Sequence, residues 1–303
     1  MFEWLKRVVA SPSFKEIAEQ YLDDLKAKSS YRMSRQRINQ IADRIGNKRA
    51  NAVVKADILA IMDEKAKEGK APATINHYRQ LTKTIYLRAT SRGYALIDPT
   101  IGIDPLPVDN ARQGFLMPAE CKRLLKSLAR SKNRKLYLLA LLLITTGARC
   151  STVLSIRGVD CDLERGVIYL YNSKSARGYI AYIARQTRAH LEKAIAALDD
   201  PYHHLIGGAK EKCGAGVIRA LQRRLNRLFN KPRGIDRRDR KNRIVVHSLR
   251  HSFGSNLAMA SVSPFAIARL MDHKSVSQTH RYAKIADVQM REAVGSLVKS
   301  VLE

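Results

Sequence analysis

Five short segments between residues 146 and 282 of this 303-residue chain hold the side chains that phosphoryl transfer without a metal would need. A phosphodiester under attack builds negative charge on its non-bridging oxygens. Guanidinium groups meet that charge with two parallel hydrogen bonds and stay protonated throughout. Thr146-Gly147-Ala148-Arg149 sets an arginine just after a glycine turn at the end of an apolar run. His247-Ser248-Leu249-Arg250 puts an imidazole and a second guanidinium at i and i+3, on one face of a helix start. His273 stands ahead of Lys274 and Ser275 in a break between helices, and Tyr282 follows in Thr279-His280-Arg281-Tyr282. Lys174 lies near the tip of a hairpin pattern, from which it can swing down. Taken singly, each has an ordinary reading: a surface ion pair for H-x-x-R, a half-buried core tyrosine, a helix C-cap cation for Arg149, a solvated turn lysine.

The elements that must position these groups fall into two sets. The first hundred residues read as helices without a convincing strand. Phe14, Ile17, Ala18, Tyr21, Leu22 and Leu25 recur at helical spacing. Further helices are predicted from about Ser34 to Ile45, over Lys55 to Ala66, and over Ala73 to Arg92, the first and last ended by Gly46 and Gly93. In the last of these, Ile75, Tyr78, Leu81, Ile85 and Ala89 share one face, while His77, Arg79, Lys83 and Arg88 lie elsewhere on its surface. The result is a small bundle with a basic face. Asp98-Pro99 then opens a stretch with Pro105 and Pro107 that reads as a stiff linker ending near Gly114. This divides the chain into residues 1–108 and 109–303.

Pro118-Ala119-Glu120 reads as a new helix start, and Leu136 to Ile144 is apolar nearly all round, the buried axis of the second domain. Gly166 to Tyr171 and Tyr179 to Ile183 read as two strands flanking a turn. Helices resume at about Arg188 and over Val217–Phe229, followed by a basic loop, expected to be mobile, with Arg233, Arg237, Arg238, Arg240, Lys241 and Arg243. The fold class is therefore mainly α with a small β-sheet.

Charge narrows the partner. Lys and Arg total 55 against 27 Asp and Glu, a formal charge of +28 with a pI near 10.3. Such an excess repels itself unless a polyanion is near, and nucleic acid is the usual one. It is uneven: residues 1–108 carry 19 basic and 12 acidic side chains, and residues 109–303 the remaining 36 and 15. Arg219, Arg223, Arg224 and Arg227 lie at helical spacing and, with Arg79 and Lys83, are candidate phosphate contacts. The apolar run is too short for a bilayer, which needs about 20 residues, and Glu3, Lys6 and Arg7 interrupt any signal peptide. Cys121, Cys150, Cys161 and Cys213 form no C-x-x-C pair, so reduced thiols and a cytoplasmic, nucleoid-associated site are expected.

The order of the five segments carries more than any one of them. Arginine, a hairpin lysine, H-x-x-R, histidine and tyrosine in succession resemble the tyrosine recombinase or phage integrase family. The likeness is densest over Leu143–Arg149 with Leu154 and Ile156, over His247–Phe253, and over Leu270-Met271-Asp272-His273 through Tyr282-Ala283. It covers the whole second domain. The N-terminal helices resemble the family's SAM-like core-binding bundle by position and number. The resemblance implies an α/β catalytic domain in which Tyr282 is the nucleophile, forming a 3′-phosphotyrosyl link and freeing a 5′-hydroxyl. Covalent storage then makes rejoining independent of ATP. Arg149 and Arg250 would clamp the scissile phosphate, Lys174 act as general acid on the leaving oxygen, His247 accept the tyrosine proton, and His273 hydrogen-bond the phosphate. With two guanidiniums in the electrostatic role of a metal, no metal or other cofactor is expected.

The same resemblance implies double-stranded DNA with paired target sites, gripped by both domains in a C-shaped clamp. It also implies a homotetramer on that DNA, joined through the apolar stripe of residues 287–303, with room for accessory DNA-bending proteins. Integration, excision, inversion and dimer resolution all remain open. A bacterial, archaeal, phage or mobile-element origin fits, and the start of the chain at the core-binding helices leans toward a simple recombinase acting on short inverted sites. Three positions depart from the family pattern: Thr152 where an acid is usual, Ser248 where Asp is usual, and Asp272 where Gly is usual. The first two are expected to loosen Arg149 and Arg250, and the third to raise the pKa of His273. A type IB topoisomerase-like relaxation enzyme and a non-catalytic DNA-binding or architectural protein are the competing readings.

Overall fold

Ser13 begins the first helix for a local reason. Its hydroxyl accepts from the Glu16 amide at 3.2 Å while the Glu16 carboxylate accepts from the Ser13 amide at 2.6 Å, a reciprocal cap. The computed structural model describes residues 11–28, 30–108, 113–172, 177–207 and 214–273. The chain forms two units, Met1–Asn110 and Ala111–Glu303.

In the first unit α1 (Phe14–Leu25), α2 (Tyr31–Ile45), α3 (Lys55–Lys67) and α4 (Pro72–Ser91) bury Phe14, Ile17, Ile38, Ile41, Ile58, Ile75 and Tyr86 together. The helical spacing of those residues in the sequence is the cause: each helix has one apolar stripe and hides it against the others. Pro72 occupies the first turn of α4, where its missing amide hydrogen costs nothing. The Tyr86 hydroxyl donates to the Ala50 carbonyl at 2.8 Å, so the largest buried ring leaves no orphaned oxygen. The proline-bearing stretch expected as a linker is fastened to α4 as far as Leu106. Asn76 donates to the Leu106 carbonyl and accepts from its amide, both at 2.8 Å.

The second unit is built around α6 (Arg134–Thr146), packed by α5 (Pro118–Ala129) and later by α10 (Val246–Met259). Leu136 and Leu138 through Leu143 are all buried, as the apolar run predicts. Truncating any one of these leucines would cost about 2–5 kcal/mol. After the short α7 (Cys150–Leu154), strands β1 (Cys161–Asp162), β2 (Val167–Asn172) and β3 (Arg177–Tyr182) form an antiparallel sheet in the order β1-β2-β3. The β2–β3 register runs from Val167↔Tyr182 to Asn172↔Arg177. Period-two alternation puts Ile168, Leu170 and Ala181 inside and Tyr169, Tyr171, Ile180 and Tyr182 outside.

Then come α8 (Arg185–Ala196), α9 (Gly214–Leu225), α10 and α11 (Pro264–Leu270). The sequence reads Val217–Phe229 as one helix. In the structure α9 stops at Leu225 and continues as a π-helical turn, Asn226–Asn230. The wider turn delivers the Asn230 side chain to Ile244, whose carbonyl and amide it binds at 2.8 Å each. The basic loop is held at its far end too, where Asp239 accepts from the amides of Lys241 and Asn242 at 3.0 and 2.8 Å. A protein that is mainly helical with one small sheet is what the sequence predicts. Among the described residues no helix is long and apolar enough to cross a membrane.

Candidate active site

Gly147 closes α6 in the left-handed conformation, φ 62°, and reverses the chain so that Arg149 becomes the residue just ahead of α7. Glycine is required twice here. The φ angle disfavours any side chain, and an added Cβ would overlap the Phe253 ring. The Thr146 hydroxyl accepts from the Ala148 amide at 3.1 Å and so fixes the same turn. Arg149 is half-buried.

Arg250 comes from the first turns of α10 and is buried, 4% exposed. Its two terminal nitrogens donate to the carbonyls of Gly147 and Met271, each at 2.6 Å. One guanidinium thus links the end of α6, α10 and the turn after α11. Arg149 reaches that same turn, with Nη1 at 3.2 Å from the Asp272 carboxylate and Nη2 at 3.3 Å from the Asp272 carbonyl. Two arginines far apart in sequence therefore converge on adjacent residues. A buried guanidinium is tolerable only when hydrogen-bonded, and these carbonyls satisfy it while leaving a concentrated positive charge.

The other expected site residues are distributed as follows. His247 lies three residues before Arg250 on α10, exposed, with its ring edge-on to His251 at 4.8 Å. His273 is half-buried directly after the shared turn, its amide donating to the Ala268 carbonyl at 2.9 Å. Lys174 falls in the β2–β3 connection and Tyr282 beyond His273; both, like residues 287–303, lie outside the described residues. Ser248 is no mere loss of an acid. Its hydroxyl accepts from the Val245 amide at 3.1 Å and helps to start α10. Arg250 is oriented instead by the two main-chain carbonyls.

Two site residues carry no signal in the sequence. One is Asp272 as the partner of Arg149, in place of the acid missing at Thr152. The other is Tyr179 on β3, whose hydroxyl is shielded from solvent. Burial raises its pKa, and the charges of Arg250, Asp272 and Arg149 all act on it.

Among the candidate phosphate contacts, Arg219, Arg223 and Arg227 are exposed on α9 and the turn that follows. Arg224 and Arg227 share an open groove with Lys122, Arg123, Lys126 and Arg130 of α5 and the residue after it, cations that spacing alone does not single out. Lys83 is half-buried, and Arg79 donates through Nε to the Ile103 carbonyl at 2.6 Å, which holds that side chain against its own unit.

Comparison with known proteins agrees with the geometry. Residues 114–289 match the phage integrase family. The tyrosine recombinase XerA of Thermococcus kodakarensis is 29% identical over 211 residues, 68% of this chain and 71% of that protein. The tyrosine recombinase XerC of Treponema denticola is 23% identical over 251 residues, 78% of this chain and 81% of that protein. Among solved structures, the Tn1549 transposon integrase in complex with a circular intermediate DNA superposes with a TM-score of 0.71 at 18% identity. It covers 93% of this chain and 100% of that one. A lambda integrase dimer bound to a COC′ core site gives 0.67 at 16%, covering 89% and 77%. These two establish the fold. Because the family match spans more than half of the chain, the protein belongs to the phage integrase family: it is a tyrosine recombinase, an enzyme of site-specific DNA recombination.

Proposed function

We propose that the protein cuts and rejoins DNA by covalent catalysis at a phosphate seated between Arg149 and Arg250. The Tyr282 oxygen attacks phosphorus and forms a phosphotyrosyl bond to the 3′ end. The bond to the 5′-oxygen breaks, and that oxygen takes its proton from Lys174. His247 receives the phenol proton, and His273 hydrogen-bonds a non-bridging oxygen. Rejoining reverses the sequence with a 5′-hydroxyl from the partner duplex as nucleophile. Four protomers on two paired sites supply the four cuts, with residues 287–303 of each docking on a neighbour. The N-terminal bundle, through Arg79 and Lys83, and the second unit, through Arg219, Arg223 and Arg227, hold the phosphate backbone. What carries this reading is the convergence of Arg149 and Arg250 on Met271-Asp272, because two fixed guanidiniums on one side of a phosphate are what the transition state needs.

The test is to incubate the protein with nicked duplex fragments, trap protein–DNA adducts and sequence their ends. Adducts at one defined position, absent in Tyr282→Phe, are expected. No adduct, or one that survives this substitution, rules the reading out. Exchange between two copies of the recovered site, in place of relaxation of a single plasmid, separates a recombinase from a relaxation enzyme.

A further inference from the structure

Asp272 occupies an expensive backbone conformation. Its φ is 49°, in the left-handed region, and Ser261 is the one other non-glycine residue with positive φ among the described residues. The C-terminal cap of α11 holds Asp272 there, with the amides of Asp272 and His273 donating to the carbonyls of Arg269 and Ala268 at 3.2 and 2.9 Å. What the side chain does in return is visible. Its carboxylate lies 3.2 Å from Nη1 of Arg149, and its own carbonyl accepts from Nη2 at 3.3 Å. One residue thus grips the guanidinium at two points along one edge and fixes its plane. Arg149 has no other ion-pair partner among the described residues, and its own helix α7, Cys-Ser-Thr-Val-Leu, carries no acid. The contact is longer than the about 2.7–2.9 Å of a tight charge-assisted pair, so Asp272 restrains Arg149 without saturating it. The preceding carbonyl, that of Met271, holds Arg250 at 2.6 Å, so the same turn sets the spacing of the two cations.

We propose that Asp272 is a positioning residue for Arg149: the turn after α11 supplies the carboxylate that aims this guanidinium at the scissile phosphate. The proposal rests on reading Arg149 as a phosphate clamp. The backbone cap of α11 sets the left-handed conformation, and the carboxylate carried at this position reaches Arg149.

Asp272→Gly separates function from folding, since glycine relieves the backbone while removing the carboxylate. The experiment measures the single-turnover rate of adduct formation on the duplex recovered above, the affinity for that duplex, and the melting temperature. For Asp272→Gly the rate is expected to fall about tenfold, the equivalent of one charge-assisted hydrogen bond. The affinity should stay within about threefold, because one phosphate among many is affected, and the melting temperature should be unchanged or higher. Asp272→Asn keeps an acceptor without the charge, so it should recover part of the rate. Cleavage by Asp272→Gly at the wild-type rate or faster overturns the proposal. So does a loss of rate that merely follows a lower melting temperature. Arg149→Ala tells the two readings apart: if it cleaves like wild type, the clamp reading fails, whereas an inactive Arg149→Ala beside a fully active Asp272→Gly removes only the role of Asp272.

Discussion

Arg149 and Arg250 donate to adjacent main-chain carbonyls, those of Asp272 at 3.3 Å and Met271 at 2.6 Å. Their separation is therefore set by one peptide unit and not by flexible side-chain stems. Fixed dipoles and charges of this kind need no rearrangement when negative charge develops, which is where electrostatic catalysis gains most.

Replacing Arg250 should damage both folding and chemistry. In Arg250→Ala the buried carbonyls of Gly147 and Met271 lose their donor, a cost of about 2–4 kcal/mol. In Arg250→Lys the charge survives but one ammonium cannot replace a fork, so stability should suffer less while adduct formation still falls by about 100-fold or more. Thermal unfolding and adduct yield check the two effects separately. Full adduct yield in Arg250→Lys would contradict the clamp.

Gly147→Ala should be among the most harmful small substitutions in the second unit. A left-handed φ and overlap with the Phe253 ring act together, for an expected loss of about 2 kcal/mol or more. Denaturant unfolding measures this, and a midpoint within error of wild type would show that the turn yields easily. Gly216→Ala is the control, because a Cβ there meets only open space.

The N-terminal unit should respond to acid through Asp57. Burial pushes its carboxyl up, but Lys48 at 2.5 Å and the Val54 amide at 3.0 Å outweigh that and hold it below the usual carboxylate range. A depressed folded pKa means stability that is fully present above the unfolded value, about 4, and is lost as pH falls through the folded one. Asp57→Asn should therefore cost about 0.5–1 kcal/mol at pH 7, allowing for the solvent around Lys48. The difference should vanish toward pH 2. A penalty equal at both pH values would disprove the electrostatic origin.

The thiols of Cys121, Cys150 and Cys161 should be inert in the folded protein. Burial pushes them up to about 11, 11 and 12 respectively, so almost no thiolate exists at pH 8. Mass spectrometry after iodoacetamide treatment should find them modified only in denaturant. Rapid labelling of any of the three in the native state would show that its surroundings open.

Much of this architecture is legible in the residues alone. Helical spacing locates the four N-terminal helices to within a few positions, and alternation locates the hairpin. The order of arginine, H-x-x-R and histidine picks out Arg149 and Arg250, which the fold brings to one turn. What stays hidden depends on contacts across long stretches of chain. Thr152 and Asp272 look like two unrelated departures from the family pattern, and only the fold shows an acid arriving at Arg149 from the other side. Ser248 looks like a lost acid because capping of the Val245 amide leaves no trace in the pattern. The π-helical turn is invisible because Val217, Leu221, Leu225 and Phe229 recur every fourth residue, which a regular helix accommodates equally well. The prolines near residue 105 suggest a free linker, since nothing local announces that Asn76 will bind Leu106.

The anchoring of Arg250 has one further consequence. Its two acceptors lie in segments brought together only when α6, α10 and α11 are all in place. A nascent or half-unfolded chain therefore lacks the paired cations. The pairing of the two guanidiniums is thus a property of the fully docked second unit, and loss of any one of these helices undoes it.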